Sequence, residues 1–86
     1  MTEQEYDFIR TLENNNLNIM RRMSNIETLN NQNDIIKLHD DITKTLDIIY
    51  NLLMARNITT KEGVYTLEQM KIGFIEMLAL LDELLS

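Results

Sequence analysis

Apolar residues recur at alternating intervals of three and four along three segments of this 86-residue chain. That spacing places them on one side of an α-helix, whereas apolar residues in a half-buried strand would alternate every second position. The sequence contains no proline, so polar clusters, glycine and changes in the phase of the apolar repeat mark the breaks between segments. The pattern predicts an all-α fold, built as one helical domain over residues 1–86.

The first segment predicts a helix over about residues 3–30. Its apolar stripe contains one polar residue and consists of Ile9, Leu12, Asn16, Ile19, Met23 and Ile26. Three further residues widen the stripe, namely Phe8, Leu17 and Met20. An asparagine-rich stretch follows. Because asparagine side chains compete for backbone hydrogen bonds, it predicts a turn near residues 31–33, with Asp34 as the N-cap of the next helix.

The second segment predicts a helix over about residues 35–56, and its stripe consists of Ile35, Leu38, Ile42, Leu46, Ile49 and Leu53. We expect the helix to end near Arg56 and Asn57, because asparagine tolerates the left-handed conformation that often follows a last helical turn. The stripe covers about 200° of the helix circumference, which is wider than a helix with one neighbour needs. The second helix is therefore predicted to pack against both others.

The third segment predicts a helix over about residues 67–85. Residues 66–69 have the form of a capping box, and Tyr65 and Met70 occupy the two positions of a hydrophobic staple. In the preceding connector, Gly63 is expected to supply a positive φ. The stripe of this helix consists of Leu67, Met70, Phe74, Met77, Leu78, Leu81, Leu84 and Leu85.

Short connections favour antiparallel neighbours, so the predicted architecture is an antiparallel three-helix bundle. The alternative is a helical hairpin of the first two helices plus a third helix that dimerises. In the first case the three stripes share one core within the chain. In the second case the stripe of the third helix is covered by another copy.

The charge of the chain and its lack of cysteine exclude several classes of function. Fourteen acidic and eight basic side chains give a formal net charge of −6, which repels nucleic-acid phosphates and anionic lipid headgroups. Without cysteine there is neither a cysteine nucleophile nor a thiolate metal site. The sequence starts with acidic residues, unlike the basic and apolar start of a signal peptide. These features predict a cytoplasmic protein that binds neither nucleic acid nor membrane.

Catalytic groups are scarce in the sequence. His39 is the only histidine, Ser24 and Ser86 are the only serines, and no glycine-rich phosphate-binding motif is found, so we expect no enzyme activity, no cofactor and no metal. The length and the three-helix pattern are similar to those of the all-helical chorismate mutases, which hold a dicarboxylate with cations from several helices. Here the eight lysines and arginines fall mostly on predicted polar faces. A small enzyme of chorismate-mutase shape is therefore an alternative without an assigned site.

Two polar residues interrupt the apolar stripes. Asn16 is either a buried residue that fixes helix register, as asparagine does at core positions of coiled coils, or a point where the stripe opens to water. His39 lies at the edge of the second stripe, where we expect its ring to pack and to hydrogen-bond a neighbour. Both residues are predicted to have a structural role.

Several large apolar residues lie outside the stripes: Ile36, Ile48 and Met54 in the second helix, and Ile72, Ile75 and Ala79 in the third. The last three fall within about 60° of one another and form a second ribbon, beside which Gly73 is expected to permit close helix approach. An 86-residue bundle has few elements left to cover this ribbon. We predict that these six residues contact another protein, either a second copy in a homodimer or a different chain. The alternative is a deeper core within one chain.

These observations favour a non-enzymatic protein that acts by stoichiometric protein–protein binding, as a regulator or inhibitor. Ten asparagines and eleven isoleucines suit an AT-rich genome and suggest a phage or mobile element of a bacterium. The alternative is an assembly or secretion chaperone that holds a helix of its client in a groove between the first and third helices. Six methionines suit that role, because methionine adapts to irregular partners.

Overall fold

The computed structural model describes residues 1–29 and 31–86, and among these the side chains of residues 1–26 and 31–86. It contains three helices: α1 (Glu3–Leu29), α2 (Gln32–Met54) and α3 (Lys61–Leu85). Each helix packs against both others, and α2 and α3 make the most extensive contact. The predicted all-α three-helix bundle is thereby confirmed. The alternative in which α3 packs only on another copy is not found, because α3 covers α2 in the same chain.

Polar contacts between the helices fix their directions. On the α1–α2 side, the Asn15 amide donates to the Thr45 hydroxyl at 2.6 Å, and the Arg22 guanidinium lies 2.7 Å from the Asp41 carboxylate. The helices α1 and α2 are therefore antiparallel. On the α2–α3 side, His39 meets Asp82 and Tyr50 meets Lys71, so α3 is also antiparallel to α2.

One apolar core joins the helices, and each predicted stripe contributes to it. Phe74, in the middle of α3, is fully buried, together with Ile19 of α1 and Ile42 of α2. Burying one such side chain contributes about 1.5–3 kcal/mol to folding. The edges of the stripes differ from the prediction, since three residues assigned to them are exposed, namely Leu17, Met20 and Leu84. In residues 1–29 and 31–86, no helix has both the length and the apolarity to cross a membrane.

The ends of α2 lie a few residues away from their predicted positions. Asn31 is the N-cap, and its side-chain oxygen accepts from the Asn33 backbone N–H at 3.0 Å, so the assignment of Asp34 as N-cap is wrong. Asp34 instead lies in the first turn, where the helix dipole favours a negative charge. The helix ends at Met54, and Arg56 rather than Asn57 adopts the left-handed conformation, with φ of 57°. The predicted last residue of α1, Asn30, lies outside the described residues.

The start of α3 differs most from the prediction, since the helix begins at Lys61 rather than near residue 67. Thr60, not Thr66, is the N-cap, and its hydroxyl accepts from the Gly63 backbone N–H at 3.2 Å. Gly63 therefore lies in the first helical turn, and within residues 1–29 and 31–86 no glycine has a positive φ. The expected positive φ at Gly63 is wrong.

A carboxylate from α1 stabilises this earlier helix start. Glu5 is buried, its Oε1 accepts from the Thr59 backbone N–H at 3.1 Å, and its Oε2 accepts from the Thr60 hydroxyl at 2.7 Å. The hydrogen bond from Thr60, followed by the one from Thr59, lowers the pKa of Glu5, although burial acts in the opposite direction. The charge also lies at the N-terminus of α3, where the helix dipole favours an anion. A contact between distant parts of the sequence thus adds to the N-cap of α3.

Candidate protein-binding surface

An exposed apolar surface extends along the outside of α2 and α3. Its α3 part is the ribbon Ile72, Ile75 and Ala79, and the two isoleucines remain 48% and 44% exposed. The ribbon therefore does not belong to a deeper core of the same chain. Ile75 lies one helical turn after Lys71, whose ammonium sits 5.5 Å from the centre of the Tyr50 ring on α2. This contact places the ribbon beside the seam between α2 and α3.

The α2 part of this surface follows a seven-residue spacing. Ile36, Thr43 and Tyr50 lie seven residues apart, so they share one side of α2. Ile36 and Tyr50 are exposed large apolar side chains. We call the surface formed by these two residues and the ribbon the outer α2–α3 face.

The six residues predicted to contact another protein do not all meet on this face. Ile36 and the three ribbon residues lie on it, and Met54 is exposed at the last residue of α2, four residues after Tyr50. Ile48 is separated from Ile36 by about 120° around the axis of α2, although it is 51% exposed. Ile48 therefore lies on a different side of the bundle.

Two polar contacts fix the seam beside the outer α2–α3 face. The Lys71 ammonium lies 2.6 Å from the Glu68 carboxylate and also faces the Tyr50 ring. The hydrogen bond to Glu68 raises the pKa of Lys71, so the lysine carries its charge at neutral pH. Further along, a hydrogen bond of 2.9 Å joins His39 Nε2 to Asp82 Oδ1. His39, a half-buried residue at the edge of the stripe, is thus paired with a carboxylate from α3.

A second surface is the groove between α1 and α3. It encloses about 440 Å³ and is lined by Asn16, Met20, Tyr65, Thr66, Gln69, Met70, Gly73 and Met77. A smaller cavity of about 240 Å³ shares Thr66 with it and extends toward the start of α1, where Tyr6, Glu13 and Glu62 line it. We call these two cavities together the α1–α3 groove.

Gly73 leaves open space in the α1–α3 groove. A Cβ atom added to Gly73 would meet nothing within 4 Å, in contrast to one added to Gly63. Gly73 therefore does not serve close helix approach within the chain. Glycine inside a helix costs about 1 kcal/mol relative to alanine, and within the described residues no neighbour is close enough to require a glycine here.

Asn16 is half-buried and faces the α1–α3 groove, so the stripe of α1 opens there. The polar contact between α1 and α2 belongs to its neighbour, since the exposed Asn15 donates to the hydroxyl of Thr45. Thr45 is buried and donates to the Asp41 carbonyl. Sequence reasoning selected Asn16 because that position continues the apolar spacing. Asn15 lies on the side of α1 that meets α2, and the spacing of α1 alone does not reveal this.

These two adjacent asparagines offer a matched test of stability. Asn15→Ala is expected to lower the free energy of unfolding by about 1 kcal/mol, because it removes a cross-helix hydrogen bond. Asn16→Ala is expected to change it by less than about 0.5 kcal/mol, because the groove admits water. Urea denaturation followed by circular dichroism measures both. Equal effects of the two substitutions would contradict this assignment.

The described residues do not assemble a catalytic cluster. None of the eight lysines and arginines, all of which lie within residues 1–26 and 31–86, is buried. Three of them are paired with carboxylates, Arg22 with Asp41, Lys44 with Asp40, and Lys71 with Glu68. In the same part of the chain no three His, Asp or Glu side chains are close enough to hold a metal ion.

Sequence reasoning missed the part of the surface that faces the α1–α3 groove. The apolar spacing predicts that Met20 and Met77 belong to the core, because their positions continue the stripes. Both line the groove. Met20 is exposed, whereas Met77 is partly buried and also packs against the core. A usable signal is the pair Glu62 and Gln69, which are seven residues apart on α3 and both line the groove. No protein-family model, curated protein or solved structure matches the chain.

Proposed function

We propose that this protein acts by stoichiometric binding of another protein, and that its outer α2–α3 face joins two copies into a homodimer. The observation that carries the proposal is the row of exposed apolar side chains on both helices of that face. Apolar patches of this kind on a small protein mark interaction surfaces. In this proposal the dimer is a regulator or inhibitor that occupies part of the surface of a larger protein.

The elongated shape of the chain suits a second copy as the occupant of this face. A compact monomer of 10.2 kDa is expected to expose about 5,300 Å², whereas this chain exposes 5989 Å². The excess of about 700 Å² fits a body that is longer than a compact one of this mass. The bundle is elongated, with extents of 41 × 19 × 15 Å, which provides one long side for such a contact.

The test is to place a charge on the outer α2–α3 face. Ile72→Glu combined with Ile75→Glu is expected to weaken self-association at least tenfold, because each carboxylate would be desolvated in the interface. Light scattering over a concentration series measures the molar mass of the wild-type protein and of the variant.

The matched control is Ile48→Glu, which introduces the same charge at a residue of similar exposure on another side of α2. We expect it to leave the molar mass unchanged. If the wild-type protein stays monomeric at high micromolar concentration, the dimer proposal is wrong.

A second candidate function is that of an assembly or secretion chaperone. The α1–α3 groove favours it, because Met20, Met70 and Met77 line an open surface between the two helices. Methionine side chains adapt to different partner shapes. A small enzyme that clamps an anion with cations receives no comparable support, since the described lysines and arginines are not buried.

A further inference from the structure

We infer that the two copies of the proposed dimer pack with their α3 helices antiparallel, across a two-fold axis at Ile72. This inference rests on the proposed function of self-association through the outer α2–α3 face, and it adds the orientation of the second copy. It is carried by the charges along α3 and by the sizes of the exposed side chains before and after Ile72. In this arrangement Lys61 of each copy meets Glu83 of the other.

One side of α3 carries the exposed residues that decide the orientation. At 100° per residue, four residues lie within about 20° of Ile72 around the helix axis, namely Lys61, Tyr65, Ala79 and Glu83. All five residues are exposed. Tyr65 also lines the α1–α3 groove, although 66% of its surface is exposed. The order along this side is therefore a cation, an aromatic ring, an isoleucine, a small residue and an anion.

The charges at the two ends of this side are opposite in sign. Lys61 is the first residue of α3, and Glu83 lies two residues before its end. Among residues 1–26 and 31–86, neither side chain forms an ion pair. Neither charge suits its own helix, because the dipole favours anions at the N-terminus and cations at the C-terminus. An ion pair between the two copies offsets both costs.

Two-fold symmetry allows two ways to place a second copy on the outer α2–α3 face, since both copies use the same patch. If the axis runs parallel to the helices, like ends meet, which brings the Glu83 side chains to one end and the Lys61 side chains to the other. If the axis runs across the helices, opposite ends meet and Lys61 lies near Glu83. Because like charges repel across an interface, charge selects the axis that runs across the helices.

The sizes of the side chains fit an axis at Ile72. Tyr65 and Ala79 lie seven residues to either side of Ile72, so the two-fold operation places the Tyr65 ring over Ala79 of the second copy. A large side chain then faces a small one, which lets the two helices interdigitate. Tyr50 of α2 lies beside the axis, because its ring contacts the ammonium of Lys71, the residue before Ile72.

Two further carboxylates on this side of α3 lie at the same level in the dimer. Glu68 and Glu76 stand four residues to either side of Ile72, and they lie about 40° to opposite sides of it around the helix axis. The Glu68 carboxylate is already paired with the Lys71 ammonium at 2.6 Å. Their lateral separation and this ion pair reduce the repulsion between them.

Single cysteines test the axis, because the chain contains no other cysteine. Ile72→Cys is expected to form a disulfide-linked dimer on mild oxidation. Tyr65→Cys and Ala79→Cys are each expected not to link to themselves, since each residue lies about 21 Å from its counterpart along the helices and a disulfide requires Cα atoms within about 7 Å. An equimolar mixture of these two variants is expected to link one chain of each kind, which intact mass spectrometry identifies.

The pattern of cross-links decides the inference, with Ile48→Cys as the control for random collision, since Ile48 is similarly exposed on another side of α2. If Tyr65→Cys or Ala79→Cys links to itself as readily as Ile72→Cys, the inferred orientation is wrong and the dimer stands. The same holds if Ile72→Cys links no more than the control while light scattering still shows a wild-type dimer. A wild-type protein that is monomeric at high micromolar concentration overturns both the dimer and its orientation.

Charge reversal tests the contact between Lys61 and Glu83. Lys61→Glu and Glu83→Lys are each expected to weaken self-association about three- to tenfold, because each variant places like charges together twice in the dimer. The variant with both reversals restores opposite charges and is expected to recover the wild-type dissociation constant within about twofold. Both reversals suit the dipole of α3, so neither should lower the stability of the monomer.

The control for net charge is Arg21→Glu, which makes the same change as Lys61→Glu at an exposed residue of α1. We expect it to weaken self-association less than Lys61→Glu does. If the variant with both reversals associates no better than the single variants, the pairing of Lys61 with Glu83 is wrong.

Discussion

Replacing Gly63 with alanine is expected to lower the free energy of unfolding by about 2 kcal/mol, although alanine is the better helix former. Gly63 lies in the first turn of α3, and a Cβ added there would lie 2.6 Å from Ile58 Cγ2 and 2.9 Å from Thr60 Oγ1. Ile58 is buried and has little room to move. The Thr60 hydroxyl caps the helix and donates to Glu5, so its displacement weakens both contacts.

The estimate combines two destabilising contributions and one stabilising contribution. Overpacking a well-filled site costs about 1–3 kcal/mol, and a disturbed N-cap costs about 0.5–2 kcal/mol. The higher helix propensity of alanine raises the free energy of unfolding by about 1 kcal/mol. The midpoint of thermal unfolding should fall by about 8–16 °C, since about 1 kcal/mol corresponds to 4–8 °C in a domain of this size.

Gly73→Ala is the matched control, because it makes the same chemical change in the same helix. A Cβ at Gly73 meets nothing within 4 Å, so the variant is expected to gain about 0.4–1 kcal/mol from the reduced entropy of the unfolded chain. Thermal unfolding followed at 222 nm compares both variants with the wild type. If Gly63→Ala is as stable as Gly73→Ala, the packing described around Gly63 is wrong.

The contrast between the two glycines indicates how much of this fold the sequence can predict. Local spacing is enough to predict three helices and most of their buried sides, because a stripe of apolar residues needs a neighbour to cover it. It is also enough to predict that Ile72 and Ile75 lie outside the main stripe. Local patterns do not predict where α3 begins, since both Thr60 and Thr66 are residues that suit the N-cap position of a helix.

The start that the structure adopts is contacted by Glu5, which lies more than fifty residues away in the sequence. Thr2 and Glu5 have the spacing of a capping box, and the Glu5 backbone N–H does donate to the Thr2 hydroxyl at 3.2 Å. The Glu5 side chain points elsewhere and contacts the start of α3. Similarly, the assignment of Met20 to the core failed because the edge of a stripe is buried only if the neighbouring helix reaches it.

The second large effect is expected for Glu5→Gln, which keeps the size of the side chain and removes its charge. At pH 7 the substitution should lower the midpoint of thermal unfolding several-fold more than Glu3→Gln does. Glu3 lies in the same first turn of α1 and is exposed, so it controls for the change in net charge. The reason is that the Glu5 carboxylate accepts from Thr59 and Thr60, and charged acceptors form the stronger hydrogen bonds.

The effect of Glu5→Gln should depend on pH in a defined direction. Because the pKa of Glu5 in the folded chain is lower than its ordinary value of 4.5, the folded state favours the ionised form. The stabilisation is therefore complete above about pH 4.5 and is lost as the pH falls through the lowered pKa. Stability curves of wild type and Glu5→Gln should run parallel above that pH and converge below it, and curves that stay parallel down to pH 3 would contradict the contact.

The double variant Glu5→Gln with Thr60→Val separates the contribution of Glu5 to the α3 cap from a general effect of charge. Thr60 both caps Gly63 and donates to Glu5, so after Thr60→Val the further loss caused by Glu5→Gln should be smaller than in the wild-type background. Residues in one hydrogen-bond network are non-additive in this way, whereas distant residues add. Glu3→Gln, which lies outside the network, should cause the same loss in both backgrounds. Additive losses for Glu5 and Thr60 would mean that α3 begins at Lys61 for reasons that do not involve Glu5.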